Sequence, residues 1–171
     1  MNNSNQEKIL RIFFENPTQK FHIRELARKI KLNPNTIINL IEKLEKKGLV
    51  LKEREKHLVN ISLNFNNKKT IQKKRIFNIE SVYNSGVVEF LLENFNPQFI
   101  SIIGSYSRGE DIEKSDIDLV IKTNKEKLFD LTKFEKYLNR RIHLLFLPDK
   151  VSEEFFNNLI NGIVVYGVLR R

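Results

Sequence analysis

Ile102-Ile-Gly-Ser-Tyr-Ser-Arg-Gly-Glu-Asp-Ile-Glu-Lys-Ser-Asp-Ile-Asp-Leu-Val-Ile121 is the stretch on which the reading of the C-terminal half turns. The apolar run Phe99 to Ile103 that feeds it reads as a buried strand. Gly104-Ser105 ends the run, and a short helical segment follows. Glycine lets a phosphate approach the backbone, and the free N–H groups of a helix start favour anions. Ser105 adds a hydroxyl, and Arg108, one turn on, is placed to touch a phosphate. Asp116 and Asp118 then sit two apart on a second strand, Asp116 to Ile121. Side chains alternate along a strand, so both carboxylates share one face while Ile117 and Leu119 take the other. Two carboxylates beside a phosphate cradle make a divalent-metal site, for which Mg²⁺ is the natural hard-ligand guest.

Around this stretch, apolar spacing predicts a helix over 82–95 with Val87, Val88, Leu91 and Leu92 inward. An amphipathic helix is expected over 125–139, using Leu128, Phe129, Leu131, Phe134 and Leu138. Arg141 to Leu147 reads as a third strand closed by Pro148. A last helix covers 150–161 and an extended tail 163–168. Residues 64–80, polar and basic, read as a linker that is in part helical.

The N-terminal third has a different rhythm. Ile9, Ile12 and Phe13 recur at helical spacing over 6–15, and Asn16-Pro17 stops the pattern. A second short helix spans 22–30. Asn33 is suited to cap a third helix and Pro34 to open it. That helix runs to about Lys47 with Ile37, Leu40, Ile41 and Leu44 on one stripe, and Gly48 ends it. Leu49 to Leu51 and Leu58 to Leu63 read as strands, with the charged stretch 52–57 as a hairpin tip. Three helices followed by a basic hairpin is the winged-helix order. The run Ile23-Arg-Glu-Leu-Ala-Arg, then Asn33-Pro-Asn-Thr-Ile, then Leu44-Glu-Lys-Lys-Gly-Leu-Val resembles the winged helix-turn-helix of many prokaryotic regulators.

Charge separates the halves. The chain carries a formal +9, but residues 1–80 hold a net +10 and residues 81–171 a net −1. A basic half beside a near-neutral one suggests that the first meets a polyanion. In a helix-turn-helix the second helix of the pair enters the major groove and offers its N-terminal residues to base edges. Asn35, Thr36, Asn39 and Lys43 are the outward positions of that helix, with Arg28 and Lys31 flanking the turn and Arg54 and Lys56 on the wing. Double-stranded DNA is the expected partner, and its affinity should fall steeply with salt. The chain has no cysteine, which excludes a disulfide scaffold and a thiolate zinc site. It shows neither an apolar run long enough for a bilayer nor a signal-peptide core, so a cytoplasmic home without membrane contact is expected.

Gly104-Ser105, Arg108-Gly109 and Ser115-Asp116-Ile117-Asp118 in register resemble the nucleotidyltransferase superfamily that includes DNA polymerase β, and most of all its minimal single-domain members. The resemblance spans roughly 85–168; winged helix and minimal domain together look like a group of archaeal predicted nucleotidyltransferases. It implies an α+β architecture: a winged helix-turn-helix over 1–63, the linker over 64–80, and a minimal nucleotidyltransferase-like domain over 81–171, a mixed sheet flanked by helices. It also implies nucleotidyl transfer from a nucleoside triphosphate to a hydroxyl, with Mg²⁺ or Mn²⁺, Gly104, Ser105 and Arg108 at the nucleotide, and Asp116 and Asp118 at the metal. The family's third carboxylate belongs on strand 141–147, where this chain has His143. Imidazole is a poor match for Mg²⁺. His143 is open to three readings: a catalytic base, a ligand for Mn²⁺ or Zn²⁺, or a half-buried histidine that only hydrogen-bonds. Three functions therefore stay in play. One is an active metal-dependent nucleotidyltransferase brought to DNA. Another is a regulator, expected as a homodimer, whose second domain is catalytically inactive and senses nucleotide or mediates assembly. The last is an antitoxin-like partner of a helical HEPN toxin, which the resemblance alone suggests.

Overall fold

The structure, a computed structural model of the chain, describes residues 4–55, 58–125, 127–148 and 150–169. The chain divides into two compact units, 1–74 and 75–171.

In the first unit, α1 (Asn5–Glu15) opens on a capping box: the Ser4 hydroxyl accepts the Glu7 N–H, and the Glu7 carboxylate accepts the Ser4 N–H. α2 (Ile23–Ile30) ends at Lys31, whose left-handed backbone (φ 57°) makes the turn into the next helix. α3 (Pro34–Lys46) starts as the sequence leads one to expect, with Asn33 Oδ1 accepting the Asn35 N–H at 2.8 Å and Pro34 in the first turn. Its inward stripe is Ile37, Ile41 and Leu44, all essentially buried. They close a core with Ile9, Phe13, Phe21, Leu26 and Ile61, where Phe13 and Phe21 meet edge to face at 5.3 Å.

β1 (Val50–Glu55) and β2 (Leu58–Leu63) form an antiparallel hairpin in register from Val50↔Leu63 to Glu55↔Leu58. The charged residues 52–55, expected at a hairpin tip, are therefore ladder residues. Their backbone groups pair with β2 while the side chains stay in water, so charge does not oppose the strand. Lys56 and His57 lie outside the described residues. Phe21 adds a bridge to Ile61, with reciprocal N–H···O=C bonds of 2.8 and 2.9 Å, that sequence reading missed. Lys20 reaches Glu53 at 2.6 Å; that hydrogen bond, then the carboxylate's charge, hold its ammonium above the ordinary value.

α4 (Lys68–Ser85) takes up most of the segment read as a partly helical linker. It is one continuous helix that begins in the first unit and ends in the second, and it absorbs 82–85, expected in the next helix. Gly86 (φ 78°) breaks the chain before α5 (Val87–Phe95). The inward stripe of α4 runs through Thr70, Lys74, Asn78, Ser81 and Val82, mostly polar residues, and so carries little hydrophobic periodicity.

The second unit is built on a four-stranded mixed sheet in the order β5-β4-β3-β6. β3 (Phe99–Ile103) runs antiparallel to both β4 (Ile117–Lys122) and β6 (Ile163–Gly167), while β5 (Ile142–Phe146) runs parallel to β4. One face (Ile100, Ile102, Ile117, Leu119, Ile121) is sealed by Val87, Val88, Leu91 and Phe95 of α5 and by Phe134 of α7 (Thr132–Leu138). On the other, Phe99, Ile103 and Val120 pack on Leu159 of α8 (Glu153–Ile160). α7 is shorter than the helix expected over 125–139. Asp130 Oδ1 accepts the Thr132 N–H at 2.9 Å and fixes the start there, because an aspartate bonding its own backbone competes with helix. Leu128, expected inward, is 90% exposed. No helix among the described residues is long and apolar enough to cross a membrane.

Candidate functional site

The site gathers where β3, α6 (Gly104–Arg108) and β4 meet. The register pairs Ile103 with Asp118, so the residue that follows Ile103 faces that carboxylate. Gly104 has φ 73°, a left-handed backbone, and a Cβ built on it would sit 2.8 Å from Asp118 Oδ2. The left-handed conformation is what calls for glycine, and the bare backbone there lets the Asp118 carboxylate lie close by. α6 leads away as a single turn. The Ser107 hydroxyl donates to the Gly104 carbonyl at 2.8 Å, and the turn ends on Gly109 (φ 74°). Ser105 lies half-buried in it, its carbonyl taken by the Glu110 N–H at 3.0 Å.

The parallel register of β4 and β5 pairs Asp118 with His143. His143 Nδ1 lies 3.2 Å from Asp118 Oδ1, with side-chain exposures of 62% and 32%. The histidine thus stands on the strand neighbouring the carboxylate, open to solvent and held by it.

Asp116 is placed differently. It precedes β4, which starts one residue later than expected, and is exposed. It lines a cleft of about 620 Å³ together with Ser115, Lys136 and Arg141. Among the described residues no cluster of three His, Asp or Glu side chains converges to hold an ion. Asp118 and His143 are brought together; Asp116 is not drawn into the same group. Arg108 is held by Glu110, Nε to Oε2 at 2.7 Å, both side chains about half exposed. Of the pair brought together, Asp118 supplies carboxylate oxygens, the hard donors that Mg²⁺ takes, and His143 an imidazole that does not suit it.

In the first unit Arg28, Lys31, Asn35, Thr36, Asn39, Lys43 and Arg54 are all exposed, the last on β1. Lys52 instead pairs with Glu45 at 2.7 Å. Sequence reading missed a further set in the second unit: Asn78, Asp111 and Arg140, buried polar residues joined to one another behind α6. Asn78 fell inside the supposed linker, and an isolated Asp or Arg carries no spacing signal.

A three-helix unit with a β-hairpin wing, followed by a mixed four-stranded sheet whose Asp118 lies against Gly104 at the start of α6, defines a winged helix joined to a nucleotidyltransferase fold. Residues 3–57 match the MarR family, and residues 86–168 match the family described as polymerase beta, nucleotidyltransferase. The chain is a fusion of these two families' domains. Residues 58–85, which include β2 and α4, lie in neither match. No curated protein matches the chain.

Proposed function

We propose that the first domain binds double-stranded DNA, and that the second binds a nucleoside triphosphate with Mg²⁺ or Mn²⁺ and transfers its nucleotidyl group to a hydroxyl of a protein or nucleic acid. The observation that carries this reading is Gly104 pressed against Asp118 while His143 holds the same carboxylate. Bare backbone at Gly104 and the first turn of α6 give the triphosphate a place to approach. Ser105 offers a hydroxyl, and Arg108 exchanges Glu110 for a phosphate oxygen. Asp118, with Asp116 at the strand entrance, would hold the metal, which when bound neutralises phosphate charge and favours departure of pyrophosphate. With its Nδ1 proton donated to Asp118, His143 keeps Nε2 to take the proton of the attacking hydroxyl. The new oxygen–phosphorus bond forms as the bond to pyrophosphate breaks.

Asn35, Thr36 and Asn39 read base edges, while Arg28, Lys31, Lys43 and Arg54 meet phosphates. A homodimer in the cytoplasm suits this arrangement, since paired half-sites match paired helices. A second reading rests on His143 itself, in the place of a carboxylate: a regulator that binds nucleotide without turnover.

The test is label transfer from α-³²P nucleoside triphosphates with Mn²⁺, in the presence of duplex DNA and cell extract. The wild type should label an acceptor and Asp118→Asn should not. Equal labelling by both would sink the proposal. Nucleotide binding without transfer would select the regulator.

A further inference from the structure

We infer that Asn78 is the positioning residue of this site, acting through Asp111 and Arg140; the inference rests on the nucleotide site proposed above. Asn78 is 1% exposed and lies on α4. Its amide nitrogen donates twice, to the Tyr106 carbonyl at 2.9 Å and to Asp111 Oδ1 at 2.7 Å. An asparagine amide has two N–H groups, so both are used. Asp111, also 1% exposed, faces Arg140, whose NH2 lies 3.9 Å from Oδ2 and whose NH1 donates to the Asn139 carbonyl at 2.9 Å.

The placement of these groups gives the network its meaning. Tyr106 belongs to α6, the turn that carries Gly104, Ser105 and Arg108. Asp111 belongs to the loop that delivers Asp116 to β4. Arg140 lies two residues before β5, which carries His143, and the Arg141 carbonyl accepts the Ile117 N–H at 2.8 Å. Asn78 therefore ties α6 directly to the loop that leads to Asp116, and Asp111 in turn faces Arg140 at the approach to β5. A single helical turn does not hold itself, because nucleation fixes several residues for one hydrogen bond. α6 spans five residues, so its direction must come from lateral ties such as this one. Catalytic groups work only when held close to their productive geometry by such supports.

Helix α4 lies outside both family matches. Asn78 is thus a contribution of the connecting segment to the second domain's site. Aspartate at this position is nearly isosteric but has no N–H, and it would set a carboxylate against the Asp111 carboxylate and the Tyr106 carbonyl.

The test uses full-length Asn78→Asp and the milder Asn78→Ser, with Leu159→Ala as a core truncation that removes none of the Asn78 hydrogen bonds. Hydrogen exchange is followed by mass spectrometry, and ATP binding is titrated in Mn²⁺. Asn78→Asp should speed exchange of 104–111 about tenfold while β3 stays protected, and weaken ATP about tenfold, with Asn78→Ser intermediate. Leu159→Ala should do neither selectively. Unchanged exchange at 104–111, or an ATP loss no larger than that of Leu159→Ala, overturns the inference. Should the wild type bind no ATP, the nucleotide-site reading fails by itself. The exchange arm then decides the inference alone: faster exchange confined to 104–111 upholds it, and its absence overturns it.

Discussion

α3 and α4 are both long helices, and they face their cores in opposite ways. α3 turns Ile37, Ile41 and Leu44 inward and leaves Asn35, Thr36, Asn39 and Lys43 in water. α4 turns Thr70, Lys74, Asn78 and Ser81 inward, while Ile76 is 64% exposed. In α3 the buried face is generic, and specificity belongs to the outer face. In α4 the buried face is itself specific, because polar groups inside a protein need partners of defined geometry. Apolar burial holds a helix in place; polar burial fixes what the helix holds.

This contrast can be broken most sharply on α3. Ile41→Asn sets an amide into a position 1% exposed and should cost about 3–5 kcal/mol, by loss of apolar burial and by an unpaired polar group. Urea titration with α3 amide exchange would measure it, and a loss under 1 kcal/mol would show that the stripe is not the helix's anchor. A middle effect is expected at the start of α3. Asn33→Ala removes the cap to the Asn35 N–H and should cost about 1 kcal/mol. Fraying confined to the first turn, seen by exchange, is the signature to look for. The smallest effect, and one of opposite sign, belongs to α4. Thr70 is fully buried and its hydroxyl finds no hydrogen-bond partner among the described residues. Thr70→Val should stabilise by about 0.5–1 kcal/mol, since it deletes a buried polar group that gains nothing in return. A destabilisation of similar size in a thermal melt would mean that this part of the stripe is satisfied after all.

The same contrast explains what was legible in the sequence. Where apolar residues face inward at regular spacing, as in α1, α3 and β3, the element can be read directly, although in α1 Leu10 and Phe14 are buried where Ile12 was expected. Gly104 and Asp118 were legible as a motif because both answer to a demand of the backbone and of a strand face. The place of His143 came from the family resemblance, which expects a carboxylate there, and the structure adds its register opposite Asp118 and its distance to that carboxylate. The extent of α4 was missed, with 64–80 read as a partly helical linker, because its inward residues are mostly polar. The helix expected over 125–139 was drawn too long, because Leu128 and Phe129 count alike in a pattern, yet Phe129 packs on Phe90 and Phe95 while Leu128 faces solvent. Asp111 and Arg140 were invisible to spacing, since their partnership closes only in three dimensions.

The family match that opens at residue 86 starts after Asn78 in the chain. A fragment trimmed to that homology boundary would keep Gly104, Asp118 and His143 but lose the amide that the Tyr106 carbonyl and Asp111 share. Such a fragment would carry the whole signature of the fold while lacking its keystone. For this chain, the unit of inheritance is shorter than the unit that must be expressed together.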